Sequence, residues 1–424
     1  MKRLLGLLVL VAVLAVAWVA WVNLREDGMQ ETALPSGATA AEVVARGEYL
    51  TRAGNCMTCH TDRGGTPYAG GRPIDTPFGM LYASNLTPDA GTGLGRWSTA
   101  DFWRAMHHGR SRDGRLLYPA FPYPNYTQVR REDADAMFAY LRTLPPARQP
   151  NRPHELRWPY STQSALAVWR ALYFRSGEHR DEPAQSAEWN RGAYLVRGLG
   201  HCSACHATRN ALGASDMMDL SGGLIPMQGW YAPSLADSQE AGLQRWSTQL
   251  AVELLGTGVA EGASVLGPMA EVVLHSTQYL APQDLQAMAV FLRSLPDDAV
   301  QPQARSPAPP PSAAIAEHGA RLYGQHCAQC HGEQGRGVAG AYPPLAGNRA
   351  VALPVTANLV QVVLYGGFPP ATAGHPRPFG MPPYATVLSD ADIAAVLTHL
   401  RTSWGNAAPP VTELEVAQQR DTRR

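Results

Sequence analysis

The fold is decided by three copies of one pattern: Cys56-Met57-Thr58-Cys59-His60, Cys202-Ser203-Ala204-Cys205-His206 and Cys327-Ala328-Gln329-Cys330-His331. The chain contains six cysteines, and all of them lie in these copies. In each copy, two thiols three residues apart are followed at once by a histidine. This repeated spacing predicts a separate cofactor site at each copy.

The pattern is typical of covalent attachment of c-type haem. Two thiols at this spacing can each form a thioether to one porphyrin, and the adjacent His becomes the proximal axial ligand of the iron. A thioredoxin-like redox pair needs only one such motif, beside a βαβ pattern, and no following His. A zinc site needs cysteine pairs that cooperate, yet these copies lie more than a hundred residues apart. We therefore predict three covalently bound haem c groups.

The sequences around the motifs also repeat, which predicts three homologous domains. Upstream of the motifs, short helices are expected to begin at Arg46-Gly47-Glu48-Tyr49-Leu50, Arg191-Gly192-Ala193-Tyr194-Leu195 and His318-Gly319-Ala320-Arg321-Leu322. Downstream, amphipathic helices are expected to begin at Asp133, Asp284 and Asp392. The helical spacing i, i+3, i+7 is clear in the second copy, at Leu285, Met288, Leu292 and Leu295.

The predicted fold is mainly α, with three tandem class I cytochrome c domains after one N-terminal anchor helix. With Gly 40 and Pro 35 in the composition, long loops are expected between the helices. The expected boundaries are 1–24 for the anchor or signal peptide, 38–146, 187–296 and 314–405 for the domains, 147–186 for a connector, 297–313 for a Pro-rich linker and 406–424 for a mobile tail. The connector is expected to carry a helix that packs on the domains, because it contains Trp169, Leu172, Tyr173 and Phe174.

The N-terminus carries an apolar run from Leu4 to Val22, directly after Lys2-Arg3. As a helix this run spans about 28 Å, close to the hydrocarbon thickness of a bilayer. A cleaved signal peptide is the alternative, because Ala15-Val16-Ala17 resembles a cleavage site. The run continues past that site through Trp18, which favours an uncleaved anchor. Either way, the haem domains are expected on the periplasmic side of a bacterial cytoplasmic membrane.

The composition and motifs exclude several classes of function. Lys+Arg and Asp+Glu are both 35, and this zero net charge argues against binding to nucleic acid. The sequence has no Gly-rich phosphate loop, no HExxH and no Gly-x-Ser-x-Gly. We therefore expect an electron-transfer subunit that is not catalytic alone.

The distal ligand of each iron is expected in the loop before the last helix of its domain. A haem that only carries electrons usually has a second axial residue, and Met there raises the reduction potential. Met381 lies 50 residues after His331, and Met269 lies 63 residues after His206. We predict that both are distal ligands.

The first domain differs, because Phe121 occupies this position 61 residues after His60. Phe cannot ligate iron, so either another residue substitutes or the iron is five-coordinate. The candidate substitutes are Met106, His107, His108 and, further away, Met80. The alternative for His107 and His108 is that they are polar residues on an exposed helix face. A His ligand would lower the potential of this haem.

Three further stretches accompany the motifs: Gly70-Gly71-Arg72-Pro73-Ile74-Asp75-Thr76-Pro77-Phe78-Gly79, Ser84-Asn85-Leu86-Thr87-Pro88-Asp89 and Leu117-Tyr118-Pro119-Ala120. With the order of the motifs, they make the chain resemble the triheme cytochrome c subunits of membrane-bound bacterial dehydrogenases, from about Ala40 to Trp404. Members serve quinoprotein alcohol dehydrogenases, flavin-dependent gluconate or sugar dehydrogenases, and molybdenum aldehyde oxidoreductases. The resemblance implies a subunit that takes electrons from a catalytic subunit and delivers them to ubiquinone or a terminal oxidase.

The resemblance also implies roles for particular residues. The haem-binding residues would be Cys56, Cys59, Cys202, Cys205, Cys327 and Cys330. The axial ligands would be His60, His206 and His331 on the proximal side, with Met269 and Met381 on the distal side. Many alcohol dehydrogenase partners have Met where Phe121 stands, so on resemblance its absence favours a molybdenum aldehyde oxidoreductase partner.

Two other functions are consistent with the same motifs. One is a haem enzyme, such as a peroxidase, that uses an open first haem at Cys56 to His60. The other is a cytochrome subunit of a terminal oxidase, which would need a copper-haem oxidase partner. Binding of carbon monoxide separates the enzyme from a pure electron carrier, because only a vacant or labile iron site responds.

Overall fold

The computed structural model describes residues 1–25, 38–297 and 311–421. This part of the chain is mainly helical, as predicted. Its helices are α1 (Lys2–Leu24), α2 (Ala40–Ala53), α3 (Cys56–Cys59), α4 (Thr99–His108), α5 (Tyr123–Tyr126), α6 (Arg131–Leu141), α7 (Gln163–Tyr173), α8 (Ala187–Ala193), α9 (Ser203–His206), α10 (Thr248–Thr257), α11 (Pro268–His275), α12 (Pro282–Arg293), α13 (Ala313–His326), α14 (Ala328–His331), α15 (Arg349–Ala352), α16 (Ala357–Tyr365), α17 (Asp390–Thr402) and α18 (Glu413–Asp421). A π-helix (Tyr194–Leu199) and a 3₁₀ turn (Thr277–Tyr279) follow α8 and α11. The strands are β1 (Pro73–Thr76), β2 (Gly79–Tyr82), β3 (Glu155–Leu156), β4 (Gly223–Ile225), β5 (Trp230–Ala232), β6 (Val259–Ala260) and β7 (Ala263–Ser264).

The chain divides into two compact units, and the first consists of Met1–Asp181, Val196–Ala204 and Arg209–Met217. Within it α2 packs on α6, α4 packs on α5 and α6, and α1 packs on α7. Strands β1, β2 and β3 form an antiparallel sheet in that order, with Pro73 opposite Tyr82. The first Cys-x-x-Cys-His motif lies in this unit.

The second unit consists of Glu182–Leu195, Cys205–Thr208 and Met218–Arg424. Here α8 packs on α12 and α13 packs on α17, while β4–β5 and β6–β7 are two short antiparallel hairpins. A core of buried aliphatic side chains fills the space around α17, with Ile393 and Leu397 fully buried.

The three helix pairs α2–α6, α8–α12 and α13–α17 cross at a glycine. A Cβ atom added to Gly47, Gly192 or Gly319 would overlap the main-chain carbonyl oxygen of Ala136, Ala287 or Ala395. Glycine inside a helix costs about 0.5–1 kcal/mol relative to alanine. That cost is offset here because only glycine lets the two backbones approach so closely.

A hydrogen-bonded pair that contains an aspartate stands beside each crossing. In each pair, the residue that precedes the glycine on the first helix forms a hydrogen bond with an aspartate on the second helix. This aspartate lies three residues before the alanine that faces the glycine. Arg46 donates from Nε to Asp133 over 2.8 Å, Arg191 donates to Asp284 over 2.8 Å, and His318 Nε2 lies 2.7 Å from an Asp392 oxygen. Hydrogen bonds that involve charged groups are among the stronger ones in proteins. The repeated sequence around each motif therefore encodes one helix crossing.

The helix predictions for the second copy and for the connector agree with the structure only in part: α12 ends at Arg293, before Leu295, and Leu172 and Tyr173 of the connector helix α7 are exposed. Leu285, Met288 and Leu292 are buried on one face of α12. In the connector, α7 buries Leu166 and Ala171, and Phe174 follows as a buried residue. Most of the predicted Pro-rich linker, residues 298–310, lies outside the described residues.

The C-terminal segment differs from the mobile tail expected for 406–424. Helix α18 packs on α16 and α17, and Val416 is fully buried. The physical reason is Arg401, which is buried and donates hydrogen bonds of 2.7–2.8 Å to the carbonyls of Val351, Leu353 and Pro409. The bond to Pro409 holds the chain after α17 against that helix, and α18 follows and packs on α16 and α17.

Helix α1 has the length and composition of a membrane span. It covers 23 residues, its most apolar 18-residue stretch has a mean hydropathy of 2.7, and none of its side chains is buried. Among the described residues it is the one helix that meets these criteria. A membrane anchor and a signal sequence both fit this helix.

Two glycines of α13 test whether the close helix crossing requires glycine. Gly319 lies at the crossing with α17, and Gly324 lies away from it. We expect Gly319→Ala to destabilise the protein by about 1–3 kcal/mol, because the new methyl group overlaps Ala395. Gly324→Ala is the matched control: no atom lies within 4 Å of the added Cβ, so it should stabilise by about 0.5–1 kcal/mol. Denaturant unfolding of the two holoprotein variants measures the difference. Equal midpoints would contradict the requirement for glycine at the crossing.

Candidate functional site

Each Cys-x-x-Cys-His motif coincides with a four-residue helix that follows the first helix of its pair, and in the second copy the π-helix Tyr194–Leu199 lies between the two. These helices are α3, α9 and α14. Residues three apart on a helix share one face, so the two thiols of a motif can meet the same flat ligand. Asn55 and His201, which precede the first and second motifs, have φ of 51° and 40°. Their left-handed backbone turns the chain sharply into the motif.

The motif histidines share one hydrogen-bond arrangement. Nδ1 lies 2.7 Å from the Ser84 carbonyl in His60, 2.7 Å from the Pro233 carbonyl in His206 and 3.0 Å from the Pro343 carbonyl in His331. A carbonyl oxygen can only accept, so Nδ1 carries the proton and Nε2 is left with its lone pair. This is the arrangement that orients a metal-binding imidazole.

Burial of the motifs favours the neutral forms of their histidines and thiols. Burial lowers the pKa of His60, His206 and His331, although each carbonyl hydrogen bond opposes this shift. Imidazole binds iron in its neutral form. Burial, with a smaller contribution from the neighbouring thiol, raises the pKa of Cys56 to about 12 and that of Cys327 to about 11. Reactive thioredoxin-type thiols have lowered pKa values instead, so the raised values argue against a thioredoxin-type redox pair at these motifs.

Met381 lies in a loop that the structure ties to the third motif. Its backbone N–H donates to Gly367 over 2.8 Å, and both Met381 and Cys327 pack against the same core. The Tyr384 hydroxyl donates to the carbonyl of His326 over 2.7 Å, one residue before the motif. The predicted ligand loop and the motif are therefore part of one packed structure.

Met269 is connected to the second motif through β5. It is the second residue of α11 and is half-buried. Gly267, with φ of 49°, lies against the ring of Trp230, so that a Cβ added there would overlap the indole. Trp230 begins β5, and Pro233 just after this strand accepts the hydrogen bond from His206. One strand thus contacts both the Met269 loop and the proximal histidine.

In the first unit, aromatic residues occupy the corresponding loop. Phe121 packs on Tyr126 with ring centroids 5.4 Å apart, and Tyr123 is fully buried. Tyr126 donates from its hydroxyl to the carbonyl of Gly54 over 2.8 Å, two residues before Cys56. Phe121 stands at the position where the other two regions carry methionine, and the loop reaches the first motif through Tyr126, five residues later.

The candidate substitutes for the missing methionine lie on two elements. Met106, His107 and His108 are buried on α4, and Met80 is half-buried on β2. The exposed-face alternative for the two histidines is wrong, because His107 is 8% and His108 is 3% exposed. His107 stacks on Trp103 at 4.4 Å and meets His108 edge-on at 4.7 Å, which explains their burial.

Sequence reasoning missed that α5 joins the first two motifs. Next to Tyr126, which reaches Gly54, Asn125 donates from Nδ2 to the Ser203 hydroxyl over 2.8 Å and to the Arg197 carbonyl over 2.9 Å. His201 meets the Tyr126 ring edge-on at 5.4 Å. Ser203 lies between Cys202 and Cys205. No spacing or composition signal marks these contacts, because they join residues more than seventy positions apart.

Comparison with known proteins places these motifs in a family. The family model for cytochrome c matches residues 44–145 and 316–404. The cytochrome c subunit of alcohol dehydrogenase (quinone) from Gluconacetobacter polyoxogenes is 39% identical, over 90% of this chain and 84% of the relative. The gluconate 2-dehydrogenase cytochrome c subunit of Pantoea cypripedii is 37% identical, over 89% of each chain. The fructose dehydrogenase cytochrome subunit of Gluconobacter japonicus is 33% identical, over 93% of this chain and 86% of the relative.

The similarity extends over nearly the whole chain and includes all three motifs, and the donor atoms at each motif suit a covalently bound, axially ligated haem. The chain therefore belongs to the family of cytochrome c subunits of dehydrogenases, whose members carry covalently bound haem c.

Proposed function

We propose that this chain is a triheme c-type cytochrome that passes electrons from the catalytic subunit of a periplasmic dehydrogenase to ubiquinone or a terminal oxidase. The observation that carries the proposal is the repetition of one setting at three motifs, where each His donates from Nδ1 to a loop carbonyl. Bound haem would supply one-electron redox chemistry. The family relationship supports the same conclusion.

The proposed roles follow the motifs. Thioethers would form at Cys56, Cys59, Cys202, Cys205, Cys327 and Cys330. The proximal ligands would be His60, His206 and His331, and the distal ligands of the second and third haems would be Met269 and Met381. The loop carbonyls that hold each Nδ1 orient the rings, so Nε2 is presented to the iron.

The cytochrome c family model does not extend over the second motif. We assign a haem to this motif because its structural setting resembles that of the other two. Helices α8 and α12 cross at Gly192, beside the Arg191–Asp284 pair, in the same way as the other two pairs. His206 makes the same Nδ1 hydrogen bond as His60 and His331. These three correspondences support a third cytochrome c domain at about 187–296.

The proposed location and partners follow from the termini and the relatives. The Lys2-Arg3 end would stay in the cytoplasm, α1 would cross the membrane as an uncleaved anchor, and the haem domains would lie in the periplasm. The donor would be a dehydrogenase catalytic subunit of quinoprotein, flavoprotein or molybdenum type. The named relatives serve alcohol, gluconate and fructose dehydrogenases, which supports a donor that oxidises a small organic substrate.

Haem counting tests the triheme state. We expect three haems per chain in the purified protein and two in the Cys202→Ser/Cys205→Ser variant, because each motif holds its own porphyrin. The pyridine haemochrome assay and the intact mass measure this count. Gln329→Ala, an exposed change between two motif cysteines, should keep all three haems. Two haems in the unmodified chain would refute the proposal.

Replacing a distal methionine tests the ligand assignment. We expect Met381→His to lower the potential of one haem, because imidazole favours the ferric state more than a thioether does. Met288→Leu, a buried change on α12 of similar volume, should leave all the potentials in place. A potentiometric titration followed by absorbance measures both variants. Unchanged potentials in Met381→His would remove Met381 from the ligand set.

A second function, a haem enzyme with an open first iron, is favoured by one observation: Phe121 replaces the expected methionine. The two functions differ in what the purified chain does alone. For the electron-transfer subunit, we expect substrate to reduce the haems only when the catalytic subunit is present. Stopped-flow absorbance with and without that subunit measures this dependence.

Binding of carbon monoxide to the reduced protein is a second measurement that distinguishes the electron-transfer subunit from the haem enzyme. A reduced chain that binds no carbon monoxide has closed irons, which excludes an enzyme that works at the first haem. A chain that both binds carbon monoxide and oxidises a substrate or reduces peroxide unaided would overturn the electron-transfer proposal. Cofactor analysis of the detergent-extracted complex then identifies the class of the partner.

A further inference from the structure

The end of helix α1 is fixed to the first unit by a polar clamp. Asn23 donates from Nδ2 to the carbonyl of Ala167 over 3.0 Å, and Arg170 donates from Nε to Asn23 Oδ1 over 3.1 Å. Arg110 donates to the main-chain carbonyl of Asn23. Arg170 is buried, and Asn23 and Ala167 are half-buried.

If α1 crosses a membrane, the clamp determines how close α7 lies to the membrane surface. This step rests on the proposed role of α1 as an uncleaved anchor. Its 23 residues rise about 34 Å, against a hydrocarbon core of about 30 Å. Lys2-Arg3 stands at one end of the helix, so Asn23 lies at the opposite boundary between lipid and water. Helix α7, bound to Asn23 through Ala167, must lie at that same level.

Helix α7 presents apolar side chains to the outside at this level. Val168 is 46%, Leu172 is 49% and Tyr173 is 39% exposed, although large apolar residues are usually buried. Val168 and Leu172 are four residues apart and share one face of the helix. Trp169 donates from its indole N–H to the carbonyl of Leu212, which places the exposed Leu212 beside this face.

The chain before α7 adds interfacial side chains of the same kind. Trp158 is 82% exposed. Trp and Tyr are enriched where lipid headgroups meet the hydrocarbon. The sequence from 156 to 177 contains no Asp or Glu, while Arg157 and Arg175 are exposed near its ends. Basic residues at this level are attracted to anionic lipid headgroups.

We propose that Trp158, Val168, Leu172, Tyr173 and Leu212, which we call the connector patch, bind the surface of the lipid bilayer. The connector between the first two motifs is then a second membrane contact beside the anchor. Asn23 of the anchor is bonded to Ala167, the neighbour of Val168 on α7, and the composition of the patch is that of an interfacial surface. Two contacts hold the first unit in a fixed orientation against the bilayer, where one helix alone would leave it free to rotate.

Nitroxide labels on the full-length holoprotein test this proposal. Single cysteines are introduced as Val168→Cys or Leu172→Cys, with Leu10→Cys as the membrane reference and Ala45→Cys as the aqueous reference. Ala45 is exposed on α2, next to the Arg46–Asp133 pair. The native cysteines are occupied by thioethers under the proposed function, so only the new thiol is labelled. The protein is reconstituted without a dehydrogenase subunit into vesicles that contain anionic lipid.

The readout is the accessibility of each label to oxygen, which concentrates in lipid, against a nickel chelate, which stays in water. We expect the oxygen-to-nickel ratio at positions 168 and 172 to be severalfold higher than at position 45 and to approach the ratio at position 10. The proposal would be overturned if the oxygen-to-nickel ratios at positions 168 and 172 equalled the ratio at position 45 while the ratio at position 10 was high. The connector patch would then be a surface for a protein partner. An intact mass that shows cleavage after Ala17 would instead refute the anchor itself.

Discussion

The close crossing of paired helices at Gly47, Gly192 and Gly319 is the constraint on which the rest of the molecule depends. The first helix of the first and third pairs ends within three residues of its motif, and in the second pair the π-helix Tyr194–Leu199 leads from α8 to the motif, so the crossing point constrains where the two thiols and the histidine begin. A side chain larger than hydrogen would push the helices apart at this point. The adjacent Arg–Asp or His–Asp pair then keeps the crossing in register. Three sites with one geometry follow from three copies of one packing contact.

The features that the sequence predicted well are local ones. The motif spacing, the amphipathic face of α12 and the apolar run of α1 all depend on residues within a few helical turns of each other. Such patterns express the period of a helix or the reach of one porphyrin, so they can be recognised without knowledge of the fold.

The features that the sequence did not predict depend on distant contacts. Arg401 has a residue type that is normally exposed, yet it is buried because carbonyls up to 50 positions away accept its hydrogen bonds. The polar character of His107 and His108 suggested a solvated face, whereas Trp103 and neighbouring rings cover them. In both cases the tertiary partners outweigh the usual preference of the residue, and no local pattern reveals these partners.

Helix α5 has a consequence for the way in which this chain can be divided. Asn125 and Tyr126 satisfy buried groups beside the first and the second motif at once. A recombinant fragment that stops in the connector would leave the Asn125 amide without the Ser203 hydroxyl and would expose the ring face that His201 covers. An unsatisfied buried polar group costs about 1–3 kcal/mol, a large part of the stability of a small domain. The first two motifs therefore have to stay on one fragment, because residues 196–204 contain Cys202 of the second motif.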